Sequence, residues 1–319
     1  MGCGCLTKTM ILMVIILLVL AVFALLIGPI GVSIFHINAP GFLAVTKPQV
    51  ELPSEGIIHV SSFFTITNTL IASWLTIIVL GLLFYFATRK MKLIPGGLQN
   101  FSEFIIETLL NFVKGVAGEE NSRTIFPVMA TIFLYVLTNA FLAFLPIFGT
   151  IGIPEPGGTI VPYLRAANTD INLPLSIALI SVGLVEFWGL RSLGFFHYSK
   201  SFFNLGPLRD GFVSLFKGKI KPAISGIMFG FINIFVGFIE LLSHLIRLVS
   251  FTFRLFGNMT AGELLILVIT FLVPFAASII FYGFEFIFGF AQALIFAGLT
   301  LVFGVIAMAP HEEEPEHAN

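Results

Sequence analysis

The stretch Phe251-Thr252-Phe253-Arg254-Leu255-Phe256-Gly257-Asn258-Met259-Thr260-Ala261-Gly262-Glu263-Leu264 sets a permanent cation inside one of the longest apolar segments of the chain. A guanidinium at mid-bilayer costs about 2.5–3.5 kcal/mol on insertion scales, and it cannot shed its proton. That expense implies a function. Around it, no proline interrupts the sequence from Ala223 to Thr270. A continuous helix there would be about 70 Å long at 1.5 Å per residue, against about 30 Å of hydrocarbon. It must tilt steeply or run partly in the membrane plane, unless Gly226, Gly230 or Gly237 kinks it into pieces.

The rest of the chain is of the same character. Mean hydropathy is +1.04, hydrophobic residues make up 57% and charged residues only 10%. A soluble domain carries roughly 25% charged residues, so this chain belongs in a bilayer. Apolar runs near residues 10–33, 66–88, 126–148, 172–195, 225–270 and 276–308 predict six crossings. The fold class expected is an all-α polytopic membrane protein, one integral membrane domain over residues 1–319. The connecting stretches Ala39–Ser54 and Pro154–Asn172 are polar and proline-containing.

Between the second and third crossings, Leu98, Phe101, Ile105, Leu109, Phe112 and Val116 recur at steps of three or four, with Glu103, Glu107 and Lys114 on other sides. Residues Gly97–Gly118 therefore read as an amphipathic helix lying on the membrane surface. The same pattern suits a docking face for another subunit.

Orientation follows from Lys and Arg, because short basic loops stay cytoplasmic. With the N-terminus inside, Lys8, Arg89, Lys90, Lys92, Lys114, Arg123 and the basic residues from Arg191 to Lys221 face the cytoplasm. Only Lys47 and Arg165 fall outside, while Arg247 and Arg254 lie within the fifth apolar segment. Lys8 before an apolar run also fits a signal peptide, but the Met10–Ile27 core is long for one and no Ala-x-Ala site follows, which favours a retained helix. Cys3 and Cys5 stand where lipidation is conceivable or are incidental thiols, and they cannot make a disulfide framework.

At 100° per residue, Glu240, His244, Arg247, Arg254 and Asn258 form one polar stripe, their spacings being four, three, seven and four. Glu263, nine residues beyond Arg254, turns to roughly the opposite side and lies about 13 Å further along the axis. The two are not neighbouring ion-pair partners. Pro274 marks a turn, and folding back there brings Glu285 to the depth of Glu263, each eleven residues from the proline. Gln292 then returns near the level of Arg254. Structural roles are open for several of these: Glu240 with His244 as a hydrogen-bonded pair, Arg247 and Lys221 snorkelling, Asn258 and Gln292 as helix contacts. Arg254 and the Glu263–Glu285 pair fit such roles poorly.

Arg254-Leu255-Phe256-Gly257-Asn258-Met259-Thr260-Ala261-Gly262-Glu263-Leu264 resembles the signature of subunit a, the stator channel subunit of F-type ATP synthases. Pro95-Gly96-Gly97-Leu98-Gln99-Asn100, Thr169-Asp170-Ile171-Asn172, Glu240-Leu241-Leu242-Ser243-His244-Leu245-Ile246-Arg247 and Ala291-Gln292-Ala293-Leu294-Ile295-Phe296 extend the likeness over residues 60–310. The helix at 10–33 is an addition to the family's common five-crossing pattern.

The resemblance implies that Arg254 faces a ring of c subunits with Asn258 and Gln292 beside it. It implies that Glu263 and Glu285 line a half-channel open to the outside, and that Glu240 and His244 serve exit on the inside. Many bacterial relatives have histidine where Glu285 stands; two acids here would behave as a coupled pair. Asn139 matches a polar channel position, yet Leu142 stands where some relatives carry a carboxylate. Partners implied are the c-ring, b-type peripheral stalk subunits and the lipid bilayer of, most simply, a bacterial plasma membrane. No nucleic-acid patch, metal cluster, phosphate loop or nucleophile constellation is present in the sequence, so no cofactor is expected and ATP chemistry would occur elsewhere in the assembly.

A ring carboxylate in lipid is kept neutral by burial, and a guanidinium within about 4–6 Å favours its charged form. A proton would therefore leave the ring near Arg254, and a charge that cannot titrate would block direct passage between half-channels. The alternative class is a secondary ion-coupled transporter, which usually shows paired repeats with broken helices. No such repeat is visible.

Overall fold

The computed structural model describes residues 3–36, 53–61, 65–145, 147–149, 151–154, 160–194, 198, 205–273 and 276–309. Its helices are α1 (Cys3–Ile27), α2 (Pro29–Phe35), α3 (Asn68–Thr88), α4 (Leu98–Leu142), α5 (Asn172–Leu193), α6 (Gly206–Phe216), α7 (Ile220–Leu272) and α8 (Ala276–Met308). Two antiparallel hairpins lie in the connections, β1 (Gly56–His59) with β2 (Thr65–Thr67) and β3 (Gly152–Pro154) with β4 (Ile160–Pro162). A single 3-10 turn, Ala167–Thr169, precedes α5. Six helices are long and apolar enough to cross a membrane, which makes the molecule an all-α integral membrane protein.

Two boundaries differ from the sequence reading. The expected first helix bends at Gly28, because Pro29 disfavours helical backbone at the residue before it and starts α2 afresh. The third crossing ends at Leu142, not 148, in turns that lead to β3. The connection that follows the third crossing carries the antiparallel pair β3–β4. The surface helix and third crossing form one run, α4, broken at Gly118 with φ 76° and ψ 169°. A side chain would strain that backbone, so glycine permits the corner between surface and span.

The long helix α7 is unbroken. Its 53 residues pass through Gly226, Gly230 and Gly237 without a kink, a length of about 80 Å. Gly226 and Gly230 instead admit α6: a Cβ at Gly226 would meet Gly211, and one at Gly230 would meet Leu208. Along α7, Phe231, Phe235, Phe238, Ile239, Leu242 and Ile246 are exposed. Such a flank suits lipid or another membrane protein, not water. The turn at Pro274 lies outside the described residues.

The chain divides into two compact units. The first takes in Met1–Leu82, Leu134–Ile171 and Leu255–Ala293. Its centre is polar: Asn139 is fully buried, donates to Thr76 Oγ1 at 2.9 Å and accepts from the Asn168 backbone N–H at 3.2 Å. Asn168 in turn donates to the Val136 carbonyl, and Thr69 donates to Asp170 at 2.8 Å. Apolar packing closes it where Phe141 stacks on Phe286 at 4.2 Å and Gly289 meets Ala140.

The second unit takes in Leu83–Phe133, Asn172–Arg254 and Leu294–Asn319. Here α5 lies against the end of α8, with Ser181 bonded to Thr300 at 2.7 Å and Trp188 over Gly304. Phe251 of α7 packs against Phe296 and Phe303. Buried Ile125, Met129 and Val113 complete its apolar interior.

Candidate functional site

Within the first unit, α7 and α8 bring together four of the residues singled out in sequence. Asn258 Nδ2 donates to Gln292 Oε1 at 2.8 Å. Gln292 is 3% exposed, and its own Nε2 has no hydrogen-bond partner among the described residues. An unmet buried amide costs about 1–3 kcal/mol, so this donor is available to a group brought against it. Further along, the carboxyl of Glu285 lies directly against Gly262: a Cβ there would fall on its oxygens. The missing side chain at Gly262 is what lets the carboxyl of one helix reach the backbone of the other. Glu263, the next residue, acts on Glu285 electrostatically. The equal-depth geometry expected from the hairpin is thus present.

Glu263 has a partner that sequence did not reveal. Arg165, in the connection between β4 and α5, lies with Nε 3.3 Å from Glu263 Oε1. Asn139, expected as a polar channel position, has its amide engaged at both ends by Thr76 and Asn168, so it braces the segment that carries Arg165.

In the second unit, Arg254 projects from α7, partly exposed, with Nη2 3.4 Å from Ser250 Oγ one turn back. That is a weak contact for a guanidinium with five donors, and it leaves the charge available. His244 is partnered from another helix. Its Nδ1 forms a close ion pair with Glu186 of α5, whose Oε2 also accepts a short hydrogen bond from Tyr198. Burial, then the bond to Glu186, pushes the Tyr198 phenol up, with Glu240 adding to the effect. The Arg247 guanidinium lies over the Phe303 ring at 3.7 Å.

Two residues therefore escaped the sequence reading, Glu186 and the role of Arg165. Both had a signal. Glu186 is a carboxylate inside the apolar segment 172–195, which in a bilayer needs a partner. Arg165 is one of two cations on the side that short basic loops avoid. Among the described residues, no group of three or more His, Cys, Asp or Glu is arranged to hold a metal ion.

The chain is similar to known proteins over most of its length. The model of the family described as ATP synthase A chain matches residues 70–304. An ATP synthase subunit a of Helicobacter pylori is 29% identical over 223 residues, covering 69% of this chain and 81% of the relative. That of Helicobacter acinonychis has the same identity and coverage. The Helicobacter hepaticus protein of that name is 30% identical over 206 residues, 64% of this chain and 74% of the relative.

Proposed function

We propose, since this chain belongs to the ATP synthase A chain family, that it is the stationary subunit that delivers protons to and from a rotating ring of carboxylate-bearing hairpins. Membership carries the coarser statement, a proton-translocating role in the membrane sector of an ATP synthase. The finer mechanism rests on the geometry of α7 and α8.

In this reading Glu263 and Glu285 carry protons between the ring and the side taken as outer from the Lys and Arg distribution. The observation that carries it is the carboxyl of Glu285 seated against Gly262, beside Glu263, within a membrane-spanning helical pair. Carboxylates are too costly in hydrocarbon to be brought together there without a use. Asn139 braces the same path through Asn168.

Arg254 supplies the fixed charge. As a ring carboxylate comes within about 4–6 Å, the guanidinium favours its ionised form and the proton leaves. Asn258 and Gln292 hold the polar surface beside that event, with the free Gln292 amide as donor. Because Arg254 cannot lose its proton, no proton relays through it and ions must ride the ring. Each charge that crosses gains about 2.3 kcal/mol per 100 mV, available as torque while that leak is closed. His244 and Glu240, joined by Glu186 and Tyr198, serve exchange on the opposite side. The exposed apolar flank of α7 faces the ring and lipid, and the surface helix of α4 is the docking face offered to the peripheral stalk.

ATP-driven proton pumping in membrane vesicles tests the path. Glu263→Gln combined with Glu285→Gln is expected to lower pumping by more than about tenfold, the equivalent of about 1.4 kcal/mol on the barrier, while the assembled complex is retained. Pumping at the parental rate would remove both residues from the path.

A further inference from the structure

The Arg165–Glu263 contact divides labour between the two carboxyls. Arg165 is only 8% exposed, and its donors reach a carboxylate and a backbone carbonyl. Nε and Nη2 lie 3.4 and 3.3 Å from Glu263 Oε2, Nε lies 3.3 Å from Oε1, and Nη1 donates to the Pro53 carbonyl at 3.3 Å. A planar fork on a carboxylate fixes orientation as well as charge. The backbone that presents it is held too. Ala166, Ala167, Asn168 and Thr169 are buried, and Asn139, Val136 and Thr69 bond the segment from 168 to 170. So many buried polar bonds in one connection imply that its position matters.

The second carboxyl meets no such cation among the described residues. Glu285 lies against Gly262 and beside Glu263, so two like charges would stand together if both were ionised. The other acids of this neighbourhood are engaged elsewhere, Glu55 by Asn68 and Asp170 by Thr69. We propose that Arg165 is a positioning residue of the proton path: its fork keeps the Glu263 carboxylate engaged in an ion pair, so that the last hop of the travelling proton is made on the Glu285 carboxyl. Each hop breaks one O–H bond on the donor and forms one on Glu285, with no change of oxidation state. This rests on the proton-path reading above, and it explains why an arginine stands on the side from which short-loop cations are usually absent.

The test uses the whole complex in membrane vesicles, with ATP-driven pumping and the pH profile of passive proton conduction as readouts and copurified ring as the assembly control. Arg165→Gln is expected to reduce pumping about tenfold, near 1.4 kcal/mol on the barrier. Its conduction profile should lose its acid limb at a higher pH, because the guanidinium that faces the carboxylates of the path is gone. Arg165→Lys keeps the charge and should leave the limb in place while losing part of the rate. Arg165→Gln with Glu263→Gln should pump better than either single variant, since neither an unpaired cation nor a second bare carboxylate remains. Losses that multiply in the double variant, or an unshifted profile in Arg165→Gln, would overturn the proposal. If Arg165→Gln does not assemble, a displaced limb in Arg165→Lys overturns it and an undisplaced one supports it. Survival of pumping in the doubly substituted Glu263→Gln, Glu285→Gln complex would instead sink the underlying path, so the two failures are distinct.

Discussion

In the Glu263 region one carboxylate is paired with a buried guanidinium and a second carboxyl lies beside it, whereas in the His244 region a carboxylate meets an imidazole and a phenol. The first arrangement is built on a cation that cannot lose its proton. The second is built on an imidazole and a phenol, groups that can both donate and accept a hydrogen bond. A path that must accept protons from one medium and release them to another benefits from that contrast. The packing differs in the same sense. Arg165 is locked by a buried polar scaffold, while His244 and Glu186 are held mainly by each other, by Tyr198 and by nearby Arg247.

Two changes in the His244 region sharpen the comparison. Glu186→Gln has the larger expected effect, because it removes the ionic partner of His244 and the acceptor of Tyr198 together. Hydrogen bonds to charged groups are worth about 1.5–3 kcal/mol, and loss of half the lower figure from proton exchange lowers pumping about threefold to fourfold. Pumping rates across a range of cytoplasmic-side pH check it; a profile identical to the parent would reduce Glu186 to a strut between helices.

Tyr198→Phe is the smaller effect and appears in alkali. Burial and the bond to Glu186 hold the proton on the folded phenol above its ordinary value near 10, while the unfolded chain releases it there. The folded state then binds more protons than the unfolded, so stability falls as pH rises past about 10. Thermal stability of the solubilised complex between about pH 9 and 11 should decline less steeply in Tyr198→Phe than in the parent. Equal slopes would mean that the phenol does not keep its proton in the complex.

How much of this was legible in the sequence depends on where the geometry is set. The six spans, the corner at Gly118 and the meetings of Glu263 with Glu285 and Asn258 with Gln292 follow from the rise and rotation of one helix or one hairpin. Those parameters are fixed, so spacing alone carries the answer. The partners of Glu263 and His244 were not accessible in this way. Arg165 is 98 residues from Glu263 in the chain, and Glu186 lies on a different helix from His244. Contacts of that kind depend on the rotation and register of packed elements, which periodicity does not encode. What sequence did carry was the anomaly of each residue: a carboxylate in an apolar span and an arginine on the wrong side. The short hairpins β1–β2 and β3–β4 left no comparable mark, since strands of three and four residues show no alternation.

The central claim is that Arg254 is a ring-facing charge whose permanence couples proton flow to rotation. Proton-driven ATP synthesis by vesicles carrying Arg254→Ala, with c-ring and soluble ATPase still copurifying, tests it most directly. The account predicts that synthesis falls to background. Synthesis retained with a neutral side chain at that position would contradict it.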